Sequence, residues 1–166
     1  MPGSETGTEL ALVRKATVGD VADVIQLERA YLTAAHWTEQ QYRDLFADGV
    51  PTRVALIAQQ GDTEEAAGFL IARHVPPEFE LENIVVAEKF RRNGVGTQLM
   101  QAFLAEAKRL SGDCVYLEVR ESNGAARGLY ESLGFRQTGR RKSYYSNPLE
   151  DAVLYSNNLR AGRDSA

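Results

Sequence analysis

Cysteine and histidine are scarce in this chain of 166 residues: one cysteine, Cys114, and two histidines, His36 and His74. A single thiol excludes an internal disulfide, and residues so scattered show no metal-ligand spacing, so the sequence points to no metal. No apolar run approaches the length of a membrane span or of a signal-peptide core, which sets the expectation of a cytoplasmic protein without a membrane partner. Basic charge is not in excess either. Nineteen Lys and Arg stand against twenty-three Asp and Glu, a net charge of -4 that argues against a general nucleic-acid binder. Two phosphate-binding signatures are missing as well. No G-x-x-x-x-G-K-[ST] run occurs, and "GVGTQL" ends in Leu99 where a dinucleotide fingerprint needs a third glycine. There is no internal repeat.

What is present is an ordinary globular composition, long enough for one core and too short for two. One domain is expected over residues 9–159, between loose polar tails at 1–8 and 160–166. "LALVRKA" reads as a first strand, after which Thr17 and Asp20 have the spacing of a helix-opening capping box. Val21, Val24, Ile25 and Leu32 then recur at helical intervals, and "TEQQYRDLF" supplies a second short helix from Thr38. "RVALIAQ" and "AAGFLIARHV" form a hairpin, Pro76 and Pro77 are expected to break the pairing, and "FELENIVV" follows as a third strand of the group. Past the glycines at 94 and 96, a helix carries Val95, Leu99, Phe103, Ala107 and Leu110 on one face, and "SGD" stops it. "CVYLEV" is a strand in which Cys114 reads as a buried structural thiol, "NGAARGLYESLG" a short helix ended by Gly134, and two strands close the chain. Strand, two helices, three strands, helix, strand, helix, two strands: this order predicts an α/β domain. Its central sheet is mixed and mostly antiparallel, flanked by helices, with later strands joined by helical crossovers. Ligands in such sheets sit where strands diverge.

The stretch "EKFRRNGVGTQLM" gives up two side chains, at Gly94 and Gly96, where a strand feeds a helix. Glycine there means either a positive φ or a close approach to the backbone. A helix N-terminus with free N–H groups, no Cβ in the way and Arg91 and Arg92 beside it can hold a diphosphate. A tight turn with two solvated arginines explains the same residues, and the spacing alone does not choose between them.

The wider pattern is recognisable. "RRNGVG" resembles the R/Q-x-x-G-x-G/A signature of the Gcn5-related N-acetyltransferase (GNAT) superfamily, whose members hold the diphosphate of acetyl-CoA on that loop. "NIVVAEKFRRNGVGTQLM", "LEVRESNGAARGLYESLGF" and "RRKSYY" followed by "EDAVL" resemble, in order and spacing, its ribosomal-protein-alanine N-acetyltransferase branch over residues 10–159. The resemblance implies acetyl-CoA as cosubstrate, with the backbone of Ile84, Val85 and Val86 receiving its pantetheine arm. Arg91, Arg92, Asn93, Gly94, Val95, Gly96 and Thr97 would cradle the diphosphate, and Asn123, also a natural helix cap, would hold the cofactor. It implies Glu118 as proton acceptor and Tyr130 as proton donor to the leaving sulfur. Independently of the resemblance, Glu118 is a carboxylate in an apolar strand, expensive unless useful; pairing with Arg120 or Arg127 is its structural alternative. Tyr130 as a half-buried anchor of its helix is compatible with its role.

Glu80 and Glu82 alternate along one strand face, and Glu80 resembles the base position of histone-type members. Glu82 departs from the branch, which is usually apolar there. Trp37 fits a family pair that covers the acceptor; His36 does not and reads as an exposed loop residue. Tyr31, Tyr144 and Tyr145 are further candidates for the acceptor cleft, or packing residues. The acceptor implied is a protein N-terminus, the alanine of a ribosomal protein by closest resemblance. Lysine side chains, a small amine or a silent CoA-sensing module are the alternatives.

Overall fold

The computed structural model describes residues 10–31, 36–47 and 53–160. Leu32 and the expected tails lie outside these residues, except for Arg160, whose guanidinium pairs with Asp113. Seven strands form one sheet in the order β1-β2-β3-β4-β5-β7-β6. The first four, β1 (Ala11–Lys15), β2 (Arg53–Gln60), β3 (Glu65–Val75) and β4 (Glu78–Val86), pair antiparallel with one another in sequence order. β5 (Cys114–Arg120) lies parallel to β4, and β7 (Glu150–Asn158) is inserted antiparallel between β5 and β6 (Arg136–Tyr145). The helices are α1 (Val21–Arg29), α2 (Glu39–Asp44), α3 (Val95–Arg109) and α4 (Gly124–Ser132).

Two apolar layers flank the sheet. On one face Leu99, Met100 and Phe103 of α3 and Tyr130 of α4 pack on Leu70, Val115, Leu117 and Tyr155. On the other, Val21, Val24 and Ile25 of α1 and Tyr42 of α2 cover Phe69, Ile71 and Val85. Each such side chain, fully removed from water, contributes about 1.5–3 kcal/mol.

Both helix openings read from sequence are present. Asp20 accepts from the Thr17 N–H at 2.7 Å in a single 3-10 turn ahead of α1, and Thr38 Oγ1 accepts from the Gln41 N–H at 3.1 Å.

Three expectations need correction. Pro76 and Pro77 do not break the pairing; they form the turn of a hairpin in which Val75 pairs with Glu78. A turn uses no ladder N–H from these two residues, so the missing donors go unnoticed. Leu110 does not join the buried face of α3. It is the C-cap residue, 36% exposed, because Ser111 turns the chain away at φ 60 and Gly112 packs against Phe79 so tightly that a Cβ would lie 2.7 Å from the ring. Cys114 is half-buried rather than buried, since it starts β5 at the sheet's end.

The feature that positions the site is an interruption. β4 and β5 pair only from Glu78–Cys114 to Glu80–Tyr116 and then part. The β3–β4 register jumps between Ile71–Asn83 and Ala72–Leu81, leaving Glu82 as an extra residue, and a bulge of this kind bends its strand.

Candidate active site

Where β4 and β5 separate, a cleft of about 700 Å³ opens in the middle of the sheet. Most of the residues singled out from sequence line it: Trp37, Glu80, Glu82, Ile84, Val85, Val86, Arg91, Glu118, Asn123, Tyr130 and Tyr145. Tyr31, His36 and Tyr144 are there too. Among the described residues, the β4 edge that faces β5 beyond Glu80 has no strand partner.

Arg92, Asn93, Gly94, Val95, Gly96 and Thr97 continue from Arg91 into the first turn of α3 rather than lining the cleft itself. The two glycines answer to different needs. Gly94 is the helix N-cap at φ 77, with open space where a Cβ would stand, so it serves conformation and leaves room. Gly96 serves approach: a Cβ there would press on Leu129 of α4 at 3.3 Å. Arg92 holds φ 66 without being glycine, a strained position in the same turn. Arg91 lies over the Tyr31 ring at 4.5 Å and donates to the Val86 carbonyl at 3.4 Å. Asn123 caps α4, its side chain accepting from the Ala126 N–H at 3.1 Å.

One wall of the cleft hangs on a carboxylate that the sequence reading passed over. Glu28, 1% exposed, accepts from the Trp37 N–H at 3.1 Å and from the Tyr42 hydroxyl, and His36 Nδ1 lies 3.3 Å from it. Burial first, then the hydrogen bond to Glu28, push the Tyr42 phenol well above its ordinary range, while Asn83 donates to its oxygen. The bulge brings Asn83 to this face; strict alternation after Glu82 would have sent it to the other. Trp37 also packs at 5.3 Å on Tyr42 and carries the Arg53 guanidinium at 5.4 Å. That guanidinium binds Glu82 at 2.9 Å, so the Glu82 charge is matched within the wall.

The opposite wall is β5 and the end of β6. Val115, Leu117 and Val119 point into the core, so Tyr116, Glu118 and Arg120 point to the open face. Glu118 pairs with Arg141 of β6 at 3.0 Å and not with Arg120 or Arg127. Arg120 instead reaches Glu150 at 3.5 Å and stacks on Tyr145 at 4.4 Å, and Arg127 donates to the Tyr155 hydroxyl at 3.0 Å. Both arginines are closer in sequence, but alternation and helix direction send them elsewhere. Arg120 Nε is buried, with no hydrogen-bond partner among the described residues. The Tyr144 phenol is raised chiefly by its hydrogen bond to Glu118, and Tyr145 is pushed up to about 12 by burial and then by Glu118. Tyr130, 4% exposed against Phe135 and Tyr155, is raised by burial first and Tyr145 second. All three phenols are therefore protonated at neutral pH.

The family model described as the acetyltransferase (GNAT) family matches residues 21–135. The chain belongs to the GNAT acetyltransferase family. The ribosomal protein bS18-alanine N-acetyltransferase of Escherichia coli strain K12 is 34% identical over 139 residues, covering 79% of this chain and 93% of that protein. The N-alpha-acetyltransferase of Sulfolobus acidocaldarius is 31% identical over 154 residues, covering 86% and 89%. Among solved structures, the ribosomal-protein-S18-alanine N-acetyltransferase from Escherichia coli superposes with a TM-score of 0.79 at 26% identity, covering 90% of this chain and 94% of that one. This protein is accordingly an acetyl-CoA-dependent N-acetyltransferase with the mixed GNAT sheet.

The GNAT cleft fits acetyl-CoA on its own geometry. The free edge of β4 leaves main-chain groups for an amide-bearing arm, and the first N–H groups of α3 open onto space left by Gly94. Among the described residues no group of three His, Cys, Asp or Glu could hold a metal ion, and no helix is long and apolar enough to cross a membrane. The residues that sequence reasoning missed are Glu28, Arg53, Asn83, Arg120 and Arg141. For Glu28 a signal existed: it sits on the stripe of Val21, Val24 and Ile25, where a charged residue has no reason to be unless it is bonded.

Proposed function

We propose that this GNAT enzyme acetylates the α-amino group of a protein, with an N-terminal alanine of a ribosomal protein as the first acceptor to test, in the cytoplasm. The observation that carries the reading is that Glu118, Tyr144 and Tyr145 line the same cleft as Trp37. This gives a slot walled by aromatics, with a carboxylate among them. The similarity to enzymes named for bS18 alanine and for N-alpha acetylation points the same way.

Acetyl-CoA, when bound, supplies an acetyl group activated as a thioester. In this reading the backbone at Ile84, Val85 and Val86 bonds its arm, while Arg91, Arg92 and the turn Asn93–Thr97 hold its diphosphate and Asn123 supports it. Glu118 takes the proton from the attacking amine, directly or through one water. An α-amine, with a pKa of about 8 against about 10.4 for lysine, needs only that modest help. Tyr130 stays a neutral O–H donor because burial raises it. So weak an acid stabilises the departing sulfur through a hydrogen bond, and solvent completes the thiol. Trp37, Glu80, Glu82 and Tyr145 form the acceptor walls, with Glu80 the competing base.

The test is thiol release from acetyl-CoA with two matched peptides, one with only a free N-terminal alanine, the other N-terminally blocked with a free lysine. Turnover confined to the first supports the reading. Turnover confined to the second, or to small amines, overturns it.

A further inference from the structure

A second cavity, of about 310 Å³, adjoins the cleft and shares Glu80 and Glu118 with it. It runs over the sheet face on the side of α1 and α2. Among the described residues those helices cover β3 and β4 near Phe69, Ile71 and Val85, whereas α3 and α4 pack on the far face. The uncovered part has an unusual floor: Tyr116 on β5 is 42% exposed and Val75 on β3 is 50% exposed, on either side of β4, in one concavity with Arg73, Glu78 and Arg141. What singles out Tyr116 is its setting: an aromatic ring this open, in a concavity continuous with an active cleft, is placed to meet whatever extends from that cleft. The strand register gives the groove its order. Arg73, Glu80 and Tyr116 form one row across β3, β4 and β5, Glu118 lies two residues further along β5, and Val75 and Glu78 lie one row beyond on the other side. From Glu118 to the Glu78–Cys114 pair is four strand positions, about 13 Å, the span of roughly four residues of extended chain.

We propose that this groove is the track for the acceptor polypeptide beyond its amino-terminal residues. The amine sits at Glu118. The following segment lies extended toward Val75, seating an apolar or aromatic side chain on Tyr116, with Arg73 and Glu78 across the groove as opposite charges. A small amine would leave the groove empty; an unfolded protein N-terminus fills it. The inference rests on the N-terminal reading above and names how such an acceptor is gripped.

The test is acetyl transfer to a dipeptide amide, a tetrapeptide and a hexapeptide that share their first two residues and carry a leucine within the added segment. The wild-type enzyme should show KM falling about tenfold from the shortest to the longest at nearly constant kcat, the effect of seating one apolar side chain. Tyr116→Ser and Arg73→Glu, both on the open surface, should leave the dipeptide kinetics unchanged and remove the gain with length. Equal KM at all lengths in the wild type, or a length dependence that survives Tyr116→Ser, overturns the groove while the N-terminal reading stands. Failure of every peptide, with turnover on lysine or small amines, overturns both.

Discussion

Arg141 Nε lies 3.0 Å from Glu118 Oε1, so the carboxylate proposed as proton acceptor meets its substrate already beside a guanidinium. Arg141 is 57% exposed and the pair faces water, so it contributes little to stability, on the order of 0–1 kcal/mol. Its effect is on where the Glu118 side chain points.

Glu118→Gln therefore keeps the fold and loses the proton acceptor. Turnover at neutral pH is expected to drop by about 10²–10⁴, with acetyl-CoA affinity nearly unchanged, and to recover in part as pH rises through the amine pKa of about 8. A pH-rate profile of the variant beside the wild type checks this. A loss of equal size at every pH would assign the base elsewhere, Glu80 first.

Gly96→Arg is expected to abolish measurable acetyl-CoA binding by calorimetry while circular dichroism stays native. The new Cβ meets Leu129 at 3.3 Å and the rest of the side chain enters the first turn of α3, where the diphosphate is proposed to lie. Undiminished binding would remove that loop from the cofactor site.

Tyr42→Phe takes a hydrogen bond from Glu28, a carboxylate with 1% exposure. Denaturant unfolding should show a loss of about 1–3 kcal/mol. Because Glu28 also holds the Trp37 backbone, KM for the acceptor should rise more than kcat falls. A variant as stable as the wild type would show that Glu28 does not depend on this donor.

Asp20 carries a pH signature. Arg14 binds it through both terminal nitrogens at 2.8 Å, and this contact first, then the Thr17 N–H, lowers its pKa. A carboxyl depressed in the folded state stabilises fully above its unfolded value of about 3.9 and loses that contribution as pH falls through the folded value. Melting temperatures of Asp20→Asn should lie below wild type by a constant margin from neutral pH to about 5, and the margin should shrink progressively once the pH falls below about 3.9. A margin that persists in acid would mean that the neutral cap geometry, not the charge, is what matters.

The element order was legible because periodicity and turn residues are local, and Gly94, Gly134, Thr38 and Asn123 each do what local chemistry asks of them. The order of strands in space was not, since the insertion of β7 between β5 and β6 depends on which edge a hairpin finds. Pro76 and Pro77 misled because a missing N–H matters in a ladder and not in a turn. In the site, residues carried by a motif were found in one cleft, while Arg141 and Glu28 were invisible as partners. Arg141 and Glu118 are brought together by two strands that flank β7, and Glu28 reads as a surface charge until Trp37 and Tyr42 close over it.

The short pairing of β4 with β5 bears on mechanics as well as on binding. Three residue pairs are all that join the two halves of the sheet directly at its centre, so the halves share less cooperativity than an unbroken sheet would give them. Whatever bonds to the free β4 edge and to the α4 cap at once acts as a splint across that seam. Amide exchange in β4 and β5 thus becomes a readout of occupancy, slowing as the seam is bridged, and the melting temperature becomes a titration curve for the cosubstrate.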